Sequence, residues 1–376
     1  MTIKKHLYFE NLDGLRFLCF LSVFFFHSFY TEFDEIKNIP LYHFLKRDVF
    51  GNGNIGVNFF FVLSGFLITF LLIEEKKLNG QINVKKFWIR RILRIWPLYF
   101  FCVFFGFVIF PVLKQTFGQI SNETASPLYY LTFINNFDFI KKGLPDASNL
   151  GVLWSVAIEE QFYFVWPLVV FIFPVRKLWI PFLIIISGSL LFRALNDSTL
   201  LHEYHTLSCI GDMAIGATGA WLVNISEKIK RIIRNLSRTK ILIVYLAFAF
   251  MFFFREKLLF EFYVIRIFER MLLALTIILI ILEQTYSKKS FFKMSKFKTL
   301  TKLGNITYGL YCFHFIGILI AITLTRIIGI NNHFWEVVAI ETPLALMITI
   351  IISKASYKYF ETPFLKLKNR FSYITK

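Results

Sequence analysis

Ten stretches of this chain stay apolar for long enough to cross a hydrocarbon layer about 30 Å thick. They run roughly from 15 to 31, 55 to 73, 95 to 113, 152 to 173, 178 to 195, 206 to 224, 240 to 254, 262 to 282, 303 to 325 and 334 to 353. Inside a bilayer the backbone must satisfy its own hydrogen bonds, so runs of this length fold as helices. The expected class is therefore all-α, a polytopic integral membrane protein of about ten transmembrane helices. Hydrophobic residues make up 56% of the chain, above the roughly 45–50% of a soluble protein. The excess sits in these runs.

The charge pattern orients them. A net charge of +18 in a soluble chain would suggest nucleic acid, but here the cations cluster between apolar runs. Of 42 Lys and Arg, 29 fall in the segments on the side of Lys4 and Lys5, nine on the other side, and four within spans. The positive-inside bias then places both termini in the cytosol. The expected partner is the lipid bilayer rather than RNA or DNA, and the expected location is the inner (cytoplasmic) cell membrane, multi-pass. The largest outer loop is 114 to 151, the segment placed to meet a substrate outside. Only about twenty residues follow the last span, so a single membrane domain over 1–376 with no appended soluble domain is expected. The start, Lys4-Lys5-His6 before an apolar run, imitates a signal peptide. Arg16 interrupts it and no small-residue cleavage site follows Tyr30, which reads as a retained first span.

The first span carries Arg16 and His27. On a helix turning about 100° per residue their spacing returns both side chains to one face, about 16 Å apart along the axis. Keeping an arginine in hydrocarbon costs on the order of 3 kcal/mol, which makes intramembrane ionisable groups functional candidates. Arg91 and Arg94 are three apart, just before Ile95-Trp96-Pro97, and share one side of a helix at the cytosolic mouth. Their forked guanidiniums suit phosphate oxygens; the alternative is a simple positive-inside anchor, the reading given to Lys85 and Lys86. The third cluster is Trp154-Ser155-Val156-Ala157-Ile158-Glu159-Glu160-Gln161-Phe162-Tyr163. Ser155 and Glu159 fall on one face, with Glu160 the more interfacial carboxylate.

Further candidates are of second rank. Tyr311 and His314 lie in the ninth run, where a lone histidine is more often a packing residue than a catalyst. Arg266, Glu269 and Arg270 sit near the outer end of the eighth, as an acceptor site or as charges that neutralise one another. Arg193 is the expected partner of Asp212, and Gly216 and Ala220 suit close helix packing. Three apparent motifs are set aside. Gly51-Asn52-Gly53-Asn54-Ile55-Gly56 lacks a preceding strand, His202 and His205 are one residue too close for a zinc-protease helix, and Leu63-Ser64-Gly65 lacks the first glycine and strand of a nucleophile elbow. Cys19, Cys102, Cys209 and Cys312 are scattered. They indicate neither disulfides nor a metal site.

Taken together these motifs resemble the acyltransferase-3 family of integral membrane O-acyltransferases, over nearly the whole chain. The family's Arg and His separated by ten residues appear as Arg16 and His27, after Leu12-Asp13-Gly14-Leu15. Its Arg-x-x-Arg appears as Arg91 and Arg94, and its Gly-Val-x-x-Phe-Phe-Val-Leu-Ser-Gly-Phe run as Gly56 to Phe66. Trp154, Ser155, Glu159, Phe162 and Tyr163 complete the Trp-Ser signature, and the Tyr-Gly-Leu-Tyr segment ends at His314. Cys209 and Gly211 replace the more polar pair expected in the sixth span, which bears on acceptor preference. The resemblance implies an acyl-CoA-dependent O-acyltransferase, with acetyl-CoA as the usual donor and a hydroxyl of a cell-envelope or exported glycan or glycolipid as acceptor. It implies catalytic roles for His27, Glu159 and Arg16, and acyl-CoA binding by Arg91, Arg94 and Arg16. Ser155, Trp154, Tyr163, Tyr311, His314 and Arg266 are the second-rank substrate residues. His27 is expected either to take the acceptor's proton or to carry the acyl group itself, oriented by Glu159 or Ser155. The competing reading is a transporter of a small polar or anionic solute. It predicts an inverted repeat and broken span pairs, and neither is visible.

Overall fold

The computed structural model describes residues 5–6, 8–255, 261–372 and 374–375. The protein is an array of long helices: α1 (Glu10–His27), α2 (Ile55–Asn79), α3 (Val84–Thr116), α4 (Ser148–Ile172), α5 (Val175–Leu195), α6 (Thr199–Ile225), α7 (Arg238–Phe254), α8 (Tyr263–Tyr286), α9 (Thr307–Ile328) and α10 (Phe334–Phe371). The strand content among the described residues is a two-residue parallel pairing of Lys5–His6 with Ile374–Thr375, which brings the two ends of the chain together.

Among the described residues, seven helices are long and apolar enough to cross a membrane: α2 to α6, α9 and α10. The number rises to eight if Glu227–Arg234 and α7, bent by 88°, form one span. Ten were expected. For α1 and α8 the difference lies in charge, whereas α7, with 17 residues, is short. Helix α1 carries Glu10, Asp13 and Arg16, and α8 carries Arg266, Glu269, Arg270 and Glu283. Of these, Asp13, Glu269, Arg270 and Glu283 are each at most 3% exposed against neighbouring helices, while Arg16 and Arg266 are half-buried and Glu10 is exposed.

Helix α2 is the hub, buried along most of its length. It crosses α6 where Gly65 lies on the backbone of Met213 and Gly216 on the backbone of Val62. A Cβ at either position would collide with main chain, so the two axes approach as small residues allow in a membrane. Gly56, at the start of α2, sits as closely on the backbone of Cys19 in α1. Helix α5 instead turns Leu183, Ile184, Leu191 and Leu195 outward, a lipid-facing surface.

Behind α2 lies a buried ionic network. Arg270 of α8 meets Asp212 of α6 at 2.9 Å, and Asn58 of α2 donates to the same carboxylate at 3.1 Å. Arg193 of α5 lies 3.5 Å from Glu269, and Arg255 bridges Glu269 and Glu203. The expected pairing of Asp212 with Arg193 is therefore corrected. Arg193 instead spends its donors on the carbonyls of Ile267, His202 and Arg266, and on Ser208.

The long connection after α3 is ordered by two carboxylates. Asp146 accepts from Lys114 at 2.6 Å, from Ser121 at 3.1 Å and from the Asn122 amide at 3.0 Å. Glu123 accepts from the amides of Ala125 and Ala147 at 2.8 and 2.9 Å. These bonds stitch both ends of the loop together over α4.

Candidate active site

Helices α1 to α4 and α9, with the end of α10, enclose a cavity of about 490 Å³. Arg16, Arg91, Arg94, Ser155, Glu159, Tyr163 and Tyr311 all line it. Residues from four separate motifs, up to 295 positions apart in sequence from Arg16 to Tyr311, thus share one space.

Arg16 is ion-paired with Asp13, one turn earlier on α1. Asp13 also accepts from the Tyr8 hydroxyl at 2.6 Å. Asp13 is buried and fixed, so it holds the guanidinium of Arg16 at the cavity wall. Arg90, by contrast, is committed to structure. It binds Glu75 and the carbonyl of Phe371, each at 3.0 Å. Arg91 and Arg94 have no carboxylate within 4 Å among the described residues. Arg91 lies over the rings of Phe87 and Tyr163, 5.5 and 5.8 Å from their centroids, and its Nε is buried without a partner. Two guanidiniums with unspent donors therefore face the cavity, as anion recognition requires.

Glu159, on α4, also lines the cavity. It accepts from the Ser64 hydroxyl at 2.7 Å and from the Tyr163 hydroxyl at 3.0 Å. Neighbouring Glu160 turns away to accept from the Trp96 indole at 2.8 Å. Farther along, Ser155 and Tyr311 join their hydroxyls at 2.7 Å, and both reach the carbonyl of Val152. This pair forms the polar wall nearest the histidines.

His27 does not line the cavity. Its Nδ1 lies 3.1 Å from Nε2 of His314, and His314 stands one helical turn beyond Tyr311 on α9, their ring centroids 5.8 Å apart. The partner of His27 is therefore His314, and not Glu159 or Ser155. Those two bond to Ser64, Tyr163 and Tyr311 instead. His27 is also the last residue of α1, and the turn beyond it is tightly held. Lys46 donates to the carbonyls of Phe26 and Ser28 at 3.0 and 2.5 Å. Phe29 takes a positive φ of 60°, a conformation costly for a bulky residue. Its ring stacks against Phe25 and Phe50, and its carbonyl accepts from Tyr42 at 2.9 Å.

The arrangement is a cavity with cationic and hydroxyl-bearing linings, and a pair of histidines one turn past Tyr311. The acyltransferase-3 family model, described as an acyltransferase domain, matches residues 9–354. The chain belongs to the acyltransferase-3 family. It is 28% identical over 96% of its length to the "Peptidoglycan O-acetyltransferase OatA" of Listeria monocytogenes, covering 56% of that protein. It is also 28% identical over 96% of its length to the "Putative peptidoglycan O-acetyltransferase YrhL" of Bacillus subtilis, covering 55% of that protein. The chain thus spans about half the length of the curated relatives it matches. No solved structure matches it.

For this family member, the structure separates the sequence candidates. Arg16, Arg91, Arg94, Ser155, Glu159, Tyr163 and Tyr311 meet in the cavity, with His27 and His314 adjacent to it. Trp154 packs instead against Tyr204 and Phe61, 4.8 and 6.0 Å between ring centroids. Arg266 lies elsewhere, paired with Asp197. Asp13 and Ser64 stand in quoted motifs but were assigned no role. The i,i+3 spacing of Asp13 and Arg16 was the available signal for the first. For Ser64 there was none, since its partner lies 95 residues away. Among the described residues no cluster of three His, Cys, Asp or Glu could hold a metal ion.

Proposed function

We propose that this protein is a membrane O-acetyltransferase that takes an acyl group, most simply acetyl, from cytosolic acyl-CoA and delivers it to a glycan hydroxyl across the inner membrane. One observation carries this reading. A single cavity joins guanidiniums with unspent donors to hydroxyl side chains one turn from a histidine pair. The names of the relatives point the same way, and make peptidoglycan the first acceptor to try.

In this reading Arg91 and Arg94 bind the donor's phosphates, with Arg16 held beside them by Asp13. The thioester extends towards Ser155 and Tyr311. In the chemical step a C–O bond to the acceptor forms and the C–S bond breaks. The hydroxyl proton passes to His27, which returns it to the departing thiolate, so the donor leaves as free thiol and the imidazole is regenerated. If His27 carries the acyl group first, an N–C bond forms as the C–S bond breaks and a thiolate leaves; the acceptor oxygen then attacks, the N–C bond breaks to return the neutral imidazole, and the hydroxyl proton ends on the thiolate. Glu159, fixed by Ser64 and Tyr163, supplies a negative charge facing the arginines.

The test is His27→Ala at equal membrane abundance, with release of thiol from acetyl-CoA and ester-linked acetate on surface glycans as the readouts. Loss of both supports acyl transfer through His27. Persistence of both refutes it. Radiolabel retained on purified protein without acceptor would select the covalent route.

A further inference from the structure

The Nδ1 atom of His314 lies 2.6 Å from the backbone carbonyl oxygen of Tyr311. A carbonyl oxygen only accepts, so Nδ1 of His314 must carry the hydrogen. In a neutral imidazole the other nitrogen is then bare and acts as acceptor. That nitrogen, Nε2, lies 3.1 Å from Nδ1 of His27. For this contact to be a hydrogen bond, the hydrogen must sit on Nδ1 of His27. The backbone carbonyl of Val23, one turn back on α1, is a second acceptor beside the His27 ring; with the hydrogen on Nδ1, Nε2 keeps its lone pair.

We propose that His314 is a positioning residue that fixes the tautomer of His27, so that the unshared pair needed for proton removal or for attack on an acyl group always stands on Nε2. The inference rests on the acyl-transfer reading above. It also goes beyond it, because it states which nitrogen of His27 works and what sets that choice. A second role for the pair, passing protons between the two faces, is excluded by the same geometry. The His314 Nδ1–H ends on a peptide carbonyl, which accepts a hydrogen bond but hands no proton onward. The pair is an orienting device, equivalent in logic to the group that holds a catalytic imidazole in its correct tautomer elsewhere. His314 is fully buried and edge-packed against Phe20 at 6.3 Å between centroids. It therefore has little freedom to flip.

The experiment uses the full chain in bilayers. Nitrogen NMR of ¹⁵N-histidine-labelled protein, with His27 assigned by comparison with His27→Gln, should show a protonated Nδ1 and an unprotonated Nε2 for His27. The opposite tautomer in the unsubstituted protein overturns the proposal, whatever the variants do. His314→Leu, which removes the acceptor, should mix the His27 tautomers. It should also lower kcat about 100-fold or more with donor KM unchanged. His314→Gln offers a carbonyl acceptor in nearly the same place and should restore kcat to within about tenfold. Full kcat in His314→Leu, or no rescue by His314→Gln with both proteins equally abundant, counts against the proposal. If His27→Ala is itself active, the acyl-transfer role fails while the tautomer measurement still stands or falls on its own.

Discussion

The carboxylate of Asp212 meets the guanidinium of Arg270 at 2.9 Å, with both side chains buried. Removing one member of such a pair leaves an uncompensated charge in the interior, typically at a cost of about 3–5 kcal/mol. Asp212→Ala should therefore lower thermal stability in detergent sharply. Asp212→Leu combined with Arg270→Met should recover much of the loss, because no stranded charge remains. Thermal unfolding of the three proteins checks this, and equal stability of the single and double variants would contradict it.

Lys46 closes the end of α1 next to His27 by donating to the carbonyls of Phe26 and Ser28. Lys46→Met removes both bonds, each worth about 1 kcal/mol or more, and loosens the turn that sets the position of His27. The expected result is a roughly tenfold fall in kcat at unchanged donor KM. Burial pushes the Lys46 ammonium down from 10.5 to about 8. The unfolded chain therefore binds more protons between about pH 8 and 10.5, and this site's contribution to stability rises with pH across that window. Stability measured from pH 7 to 10 should lose that component of its slope in Lys46→Met.

Asp146 ties the loop after α3 to the start of α4. Burial alone would raise its pKa, but the bonds from Lys114, Asn122 and Ser121 outweigh burial and hold the carboxyl below its ordinary value. A depressed carboxylate contributes stability that is present above its unfolded pKa and lost as pH falls through the folded one. Limited proteolysis of the 118–147 segment should therefore increase below the ordinary carboxylate range and stay low at neutral pH. Asp146→Asn should be cleaved faster at neutral pH and show little further change in acid.

The parts of this architecture that depend on neighbours along one chain were legible in the sequence. Arg16 and His27 stand on α1 as the helical period requires, Ser155 and Glu159 share a face, and Gly216 marks a close crossing. The hidden parts are contacts between helices. His314 meets His27 across 287 positions, and nothing in the local pattern of α9 marks that histidine as different from a packing residue. Asp212 lies in a network with three buried arginines, Arg193, Arg255 and Arg270. Only the packing of α6 against α8, where Gly219 lies against Ile278, selects Arg270. Helices α1 and α8 were legible as long runs in spite of their charges, but the partners that take up those charges are not visible to hydropathy.

Arg91 and Arg94 test the functional reading most directly. Both face the cavity, and Arg91 keeps a buried Nε without a partner, while nearby Arg90 is held by Glu75. If the first two bind donor phosphates, Arg91→Lys keeps the charge but loses the fork that matches two phosphate oxygens. Donor KM should then rise about tenfold or more with a smaller change in kcat, the signature of binding made equally in ground and transition states. Arg94→Gln should act in the same direction. Arg90→Gln, which breaks a structural pair, should instead reduce abundance and thermal stability with donor KM little changed. Initial-rate kinetics on acetyl-CoA in proteoliposomes separate the two patterns. An unchanged donor KM in both Arg91 and Arg94 variants would return this pair to the role of membrane-surface anchors.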